Sequence, residues 1–97
     1  MGYSTIGYIR FRVHKLNDHN RKILLELLKE VRLNAGLRQV DLAQKLSFPQ
    51  SMVSKYEVGE RRLDILELRE ICEIFDISFV GFIQTLEQRI NEKPDEA

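Results

Sequence analysis

Residues 39–62, QVDLAQKLSFPQSMVSKYEVGERR, constrain the fold more than any other part of the chain, because two helical patterns of different character meet across a short interruption. In the first, Leu42, Ala43 and Leu46 fall at i, i+1 and i+4 and so share one apolar side; Ala43 is small enough to let a second helix cross closely. The second begins near Pro49, whose missing N–H would be unpaired at a helix start anyway. At about 100° per residue, Met52, Val53 and Tyr56 occupy one arc, and Gln50, Ser51, Ser54 and Lys55 the opposite one. One helix therefore packs, and the other presents hydrogen-bonding groups outward.

The flanking segments supply a core for this pair. Asn17-Asp18-His19-Asn20 offers capping residues before a leucine-rich run over 23–33, in which Leu24, Leu28 and Val31 keep helical spacing, and this first helix is expected to end at Gly36. Asp64-x-x-Glu67 reads as a capping box with Asp as the cap, and Ile65, Leu68, Ile71, Cys72 and Phe75 form a core stripe behind it. Ser78 is expected to cap a last helix. The result is an all-α fold, a compact five-helix bundle spanning residues 17–90, with 91–97 frayed. In residues 1–16, Ile9, Phe11 and Val13 alternate with Arg10, Arg12 and His14, a period of two that suits a strand. A lone strand needs a partner, so this segment could pair with its copy, lie on the bundle or form an arm.

With 97 residues and 43% hydrophobic content the chain suits one domain with a single core. Cys72 is the only cysteine, which rules out an intramolecular disulfide and reads as a core residue in a reducing compartment. No run approaches the ~18 apolar residues of a membrane span and no signal-peptide pattern opens the chain, so a cytoplasmic protein without a membrane partner is expected. His14 and His19 lack neighbours at metal-ligand spacing, and no phosphate loop or nucleophile elbow is visible. Neither a metal, nor a cofactor, nor an enzyme is expected. The zero net charge conceals a gradient: residues 1–22 carry five basic groups and one acidic, residues 38–62 five and three, and residues 63–97 three and nine. Positive charge gathers at and before the two central helices, and the acidic half should face away from any polyanion.

Several linked anchors in this region resemble the helix-turn-helix regulators of the phage repressor and Cro type, the XRE family. They run through Leu33-Asn34-Ala35-Gly36-Leu37, Gln39-x-x-Leu42-Ala43, Gln50-Ser51-x-Val53-Ser54-Lys55-Tyr56-Glu57 and Gly59-Glu60-Arg61-Arg62-Leu63-Asp64, and more loosely to about Leu86. The chain departs from the pattern twice. Ser47 stands where the turn usually has Gly with φ > 0, which implies a strained or altered turn. Arg38 stands where Thr or Ser often caps, so that helix start should lack a side-chain cap.

The resemblance implies a lambda-repressor-like domain that binds double-stranded DNA at a palindromic operator, with the helix at about 50–57 in the major groove. It sets Gln50, Ser51 and Lys55 against base edges with Ser54 between base and phosphate. Gln39 with its backbone N–H, Arg61, Arg62 and Arg38 would then hold phosphates. A homodimeric repressor is the leading expectation. An autoregulatory antitoxin or restriction-modification controller is the alternative within this chemistry, and a protein-interaction module without DNA binding, its partner unnamed by the sequence, the one outside it. For the dimer, the apolar positions Phe79, Phe82, Ile83, Leu86 and Ile90 of the last helix continue to where little protein remains to cover them. The alternating segment at Ile9, Phe11 and Val13 could serve instead, or its arm could reach the DNA.

Overall fold

Side chains that satisfy the unpaired N–H groups of a first turn set the helix starts in the second half of the chain. The computed structural model describes the backbone of residues 13–92 and the side chains of residues 19–92. Asp64 accepts from the N–H groups of Leu66 and Glu67 at 2.9 and 2.8 Å, while Glu67 accepts from the Asp64 N–H at 3.0 Å. This is the expected capping box. Ser78 likewise accepts from the Gly81 N–H at 2.9 Å. Arg38 cannot accept a bond through its side chain, but Asp41, three residues on, accepts from its N–H at 2.8 Å and so closes the other half of a capping box.

Five helices follow one another among the described residues, with no strand between them. They are α1 (Val13–Asn34), α2 (Gln39–Lys45), α3 (Gln50–Glu57), α4 (Ile65–Ile74) and α5 (Phe79–Asn91). α2 and α3 pack on each other, α1 lies against α3 and α5, and α4 against α5. The core joins Leu27 and Leu28 of α1, Leu42 of α2, Val53 and Tyr56 of α3, Leu68, Ile71 and Cys72 of α4, and Phe82 of α5. Every element contributes its apolar arc to one cluster. Cys72 is fully buried, as a core thiol should be, and burial pushes its pKa up. An Arg89–Glu30 pair, 2.7 Å at its closest, links α5 to α1 at the surface and lowers the pKa of the Glu30 carboxyl.

The structure corrects three local expectations. Helix α1 begins at Val13, ahead of the capping residues at 17–20 and inside the segment read as strand-like, because nothing from 13 to 34 is a glycine or proline that would stop a helix. The Ile9 and Phe11 alternation itself lies outside the described residues. Ile65 is 65% exposed and does not join the α4 stripe, since its place in the first turn carries it past the edge of the core. Ser47 does not take the left-handed conformation; Leu46 before it leaves α2 in extended geometry, at φ −96° and ψ 169°. The Ser47 N–H and Oγ both donate to the Glu70 carboxylate of α4, each at 3.0 Å, so the turn is tied to α4. Among the described non-glycine residues only Asp76, at φ 58°, is left-handed, where the end of α4 turns under an Ile77 N–H···O Cys72 bond of 3.0 Å.

The two residues should therefore respond oppositely to glycine. Ser47→Gly removes a charge-assisted bond and adds freedom to the unfolded chain, and is expected to destabilise by about 1 kcal/mol. Asp76→Gly relieves a backbone conformation that a Cβ disfavours and should stabilise by up to about 1 kcal/mol. Urea unfolding of the two variants checks both signs in one measurement.

Candidate nucleic-acid interface

The outward surface of α3 is defined by what the helix buries on its other side. Pro49 enters the helix in extended geometry and its carbonyl accepts from the Met52 N–H at 3.0 Å. Met52, Val53 and Tyr56 then face the core at 8%, 0% and 1% exposure, which fixes the rotation of the helix about its axis. Gln50, Ser51 and Lys55 are exposed and Ser54 is half-buried. The Tyr56 phenol lies wholly inside, and burial raises its pKa further above the ordinary value. Lys55 makes no ion pair among the described residues, so its charge is open to a ligand.

A buried polar cluster fixes the far end of the helix. Arg32 of α1 donates from Nε to Glu57 Oε2 at 2.7 Å and from Nη2 to Oε1 at 3.0 Å, and its Nη1 donates to the Leu37 carbonyl at 2.7 Å. Gln39, at the start of α2, donates from Nε2 to the same Glu57 Oε1 at 2.9 Å. The side chains of Arg32 and Glu57 are only 7% and 3% exposed. The hydrogen bonds to Glu57 raise the Arg32 pKa against the opposing effect of burial. One carboxylate thus joins α1, the entry of α2 and the exit of α3. Just beyond, Gly59 turns the chain at φ 87°, and its carbonyl accepts from Arg21 Nη2 at 2.8 Å. Sequence reading missed Arg21, Arg32 and the inward role of Glu57, because these bonds join residues 25 and 38 positions apart. Arg32 offered one usable signal, as an arginine four residues after Leu28 and so on the face of α1 that the core covers.

The basic residues named from the sequence fall into two groups. Arg38 is bound to Asp41 at 2.9 and 3.0 Å, and Arg61 to Glu67 at 2.9 and 3.1 Å, with a further Arg61 bond to the Arg62 carbonyl. Arg62 is exposed and makes no ion pair among the described residues. The amide of Gln39 is half-buried, with one of its two N–H groups spent on Glu57. Of the last-helix residues, Phe82 is 5% exposed in the core and Phe79 and Leu86 pack against it. Ile90 is half-buried with Leu24 and Leu63 in a groove, and Ile83 is 37% exposed beside Val80 at 65%.

Two outcomes follow. Glu57→Gln keeps the shape of the side chain but leaves Arg32 buried without a counter-charge, and is expected to cost about 3–5 kcal/mol in unfolding free energy. Asp41 is held well below the usual carboxylate range, at about 2, first by its bond from the Arg38 guanidinium and next by the Arg38 N–H. Its folded pKa lies below the unfolded one, so the stability it adds is complete above the unfolded value and is lost as pH falls toward 2. A carboxyl titration followed by NMR should place the Asp41 midpoint near pH 2, moving upward in Arg38→Ala.

With this geometry in place, the comparisons with known proteins are consistent with one another. A family model described as Helix-turn-helix matches residues 28–82, from the middle of α1 into α5. A solved structure of an XRE-family like protein from Pseudomonas syringae pv. tomato str. DC3000 superposes with a TM-score of 0.72 at 37% identity, covering 78% of this chain and 95% of that one. No curated protein matches the chain. A match over more than half of the residues, carried by the same α2–α3 pair that the structure builds, means that the chain belongs to the helix-turn-helix family of XRE type, whose members are DNA-binding regulators.

Proposed function

We propose that the protein is a sequence-specific, homodimeric transcriptional repressor that lays α3 in the major groove of a palindromic operator. The observation that carries this reading is the split surface of α3: a fully buried arc holds the helix in one rotation, while Gln50, Ser51 and Lys55 project from the other. Gln can bond adenine bidentately and Lys can donate to guanine O6 or N7, so this arc is suited to base edges. Arg62 and the free N–H of the Gln39 amide serve phosphates and set the register. Arg38 and Arg61 join them by exchanging a half-buried carboxylate partner near the surface for phosphate, at a small cost because surface pairs contribute only about 0–1 kcal/mol.

The dimer uses the apolar strip of α5 that the bundle leaves uncovered, Val80 with Ile83. A two-fold pairing presents two recognition helices about 34 Å apart, one turn of the duplex.

Selection of bound duplexes from a random pool with the purified chain tests the reading as a whole. It should return one half-site in inverted repeat. On that site Gln50→Ala or Lys55→Ala is expected to lose about 1–3 kcal/mol and relax the preference at one position. Arg62→Ala should weaken all sequences alike and lower the logarithmic salt slope by about 1. Recovery of no preferred sequence would refute the proposal. For the dimer, Val80→Glu with Ile83→Glu should abolish cooperative occupancy of the two half-sites on one duplex while the helical spectrum is kept.

A further inference from the structure

Helices α1 and α5 and the loop after α3 enclose a groove of about 290 Å³ whose lining differs from that of the molecule's other concavities. Its floor is apolar, with Leu24 of α1, Leu63 of the loop, and Leu86 and Ile90 of α5 all half-buried, so their surface is still in contact with solvent. Its rim carries Arg21, Arg61 and Arg62, and no acidic residue lines it among the described ones. The cleft beside Val58, by contrast, sets Glu26 and Glu57 among its cations, and the groove beside Ile77 has no charged residue. Two of the rim arginines already have partners, Arg21 in the Gly59 carbonyl and Arg61 in Glu67. Arg62 has no ion-pair partner among the described residues, which leaves a guanidinium fork beside an apolar floor.

We propose that this groove binds a small amphiphilic anion, a free medium-chain alkyl carboxylate, with its chain on Leu24, Leu63, Leu86 and Ile90 and its carboxylate on Arg62. Each half of the ligand answers one half of the lining. The chain removes the leucine and isoleucine surface from water, which is the driving force for entry. The carboxylate matches the planar fork of Arg62, whose two parallel N–H groups suit bidentate binding. A volume near the lower end of small-molecule sites, about 300 Å³, is enough for such a ligand. Occupancy also has a regulatory consequence, and that consequence rests on the DNA-binding reading given above. A carboxylate held by Arg62 competes with a DNA phosphate for the same guanidinium, so the ligand weakens operator binding.

The test uses the full chain with octanoate as the probe, octylamine as the same chain bearing a cation, and acetate as the anion without a chain. Calorimetry and amide NMR should show octanoate binding with shifts at Leu24, Leu63, Leu86 and Ile90, and binding by octylamine and acetate at least about tenfold weaker. Arg62→Gln, at an exposed position that leaves the fold intact, should weaken octanoate by about tenfold or more. Equal binding of octanoate and octylamine would overturn the proposal, as would shifts confined to the groove beside Ile77. An absence of octanoate shifts, the result if a second copy or residues 1–12 already cover the floor, would overturn it too. A second arm measures DNA affinity by anisotropy at saturating octanoate, where about a tenfold loss is expected with octanoate and none with octylamine. DNA binding indifferent to bound octanoate refutes the coupling alone. A chain that binds no DNA even without octanoate refutes the functional reading, and the first arm still judges the groove.

Discussion

The ion pair between Arg32 and Glu57 sets the arrangement on which the interface depends. Two charges with side chains at most 7% exposed are costly to remove from water, and their mutual attraction offsets that only when the remaining hydrogen-bonding capacity is met. Here it is met by the Leu37 carbonyl on the arginine and by the Gln39 amide on the carboxylate. Apolar contacts between α1, α2 and α3 would tolerate sliding by an ångström, but a bidentate pair at 2.7 and 3.0 Å does not. Glu57 also stands at the C-terminal end of α3, where the helix dipole disfavours a negative charge. Arg32 answers that unfavourable placement as well as the charge itself, so the recognition helix is anchored at its exit by polar geometry and along its length by Met52, Val53 and Tyr56.

This anchoring separates rigid scaffold from open surface within a few residues. Gly59 is favoured by its φ of 87°, a backbone conformation that a Cβ strains even though the space beside it would give only ordinary contact with Leu25. Its carbonyl is held by Arg21, so the chain leaves α3 in a set direction toward Arg61 and Arg62. Of the basic groups in this region, Arg21 and Arg32 are structural, Arg38 and Arg61 are neutralised by neighbours they can exchange, and Lys45, Lys55 and Arg62 make no ion pair among the described residues. A count of positive residues over 38–62 therefore overstates the charge available to a polyanion and misses that two further arginines from α1 hold the frame.

What the sequence disclosed were relations within one or two helical turns. The Asp64–Glu67 capping box, the Ser78 cap and the opposed arcs of α3 depend on spacings of two to four residues, and each is present as read. The Arg32–Glu57 and Arg21–Gly59 bonds cross the fold, and no local pattern marks them. Ser47 illustrates a subtler limit. A position that often takes glycine invites a left-handed reading, yet here an extended Leu46 leads the chain out of α2 and a carboxylate 23 residues away secures Ser47. Asp76, which does adopt the left-handed conformation, gave no signal because aspartate is common in many other turns. For α1, the capping residues at 17–20 were real cap formers without a helix end to cap, since Val13 had already begun the helix.

The last helix shows how a wide apolar stripe divides once its neighbours are placed. Phe79, Phe82, Leu86 and Ile90 fall within a narrow arc at about 100° per residue and turn toward α1 and the core. Ile83 sits at the margin of that arc and Val80 farther round, so one continuous sequence pattern contains both a bundle-facing strip and an outward one. The bundle consumes the larger side chains. Apart from the half-buried Leu86 and Ile90 in the groove, the apolar surface that α5 leaves for a two-fold contact is the strip of Val80 and Ile83, at 65% and 37% exposure. Two partly exposed aliphatic residues per protomer fall well short of the extensive apolar area that permanent dimers bury, about 2,000 Å² or more in total. A dimer on this strip is therefore weak when free and gains most when both protomers share one duplex, where the second contact becomes intramolecular. Operator spacing, rather than the strip itself, then supplies most of the specificity for pairing.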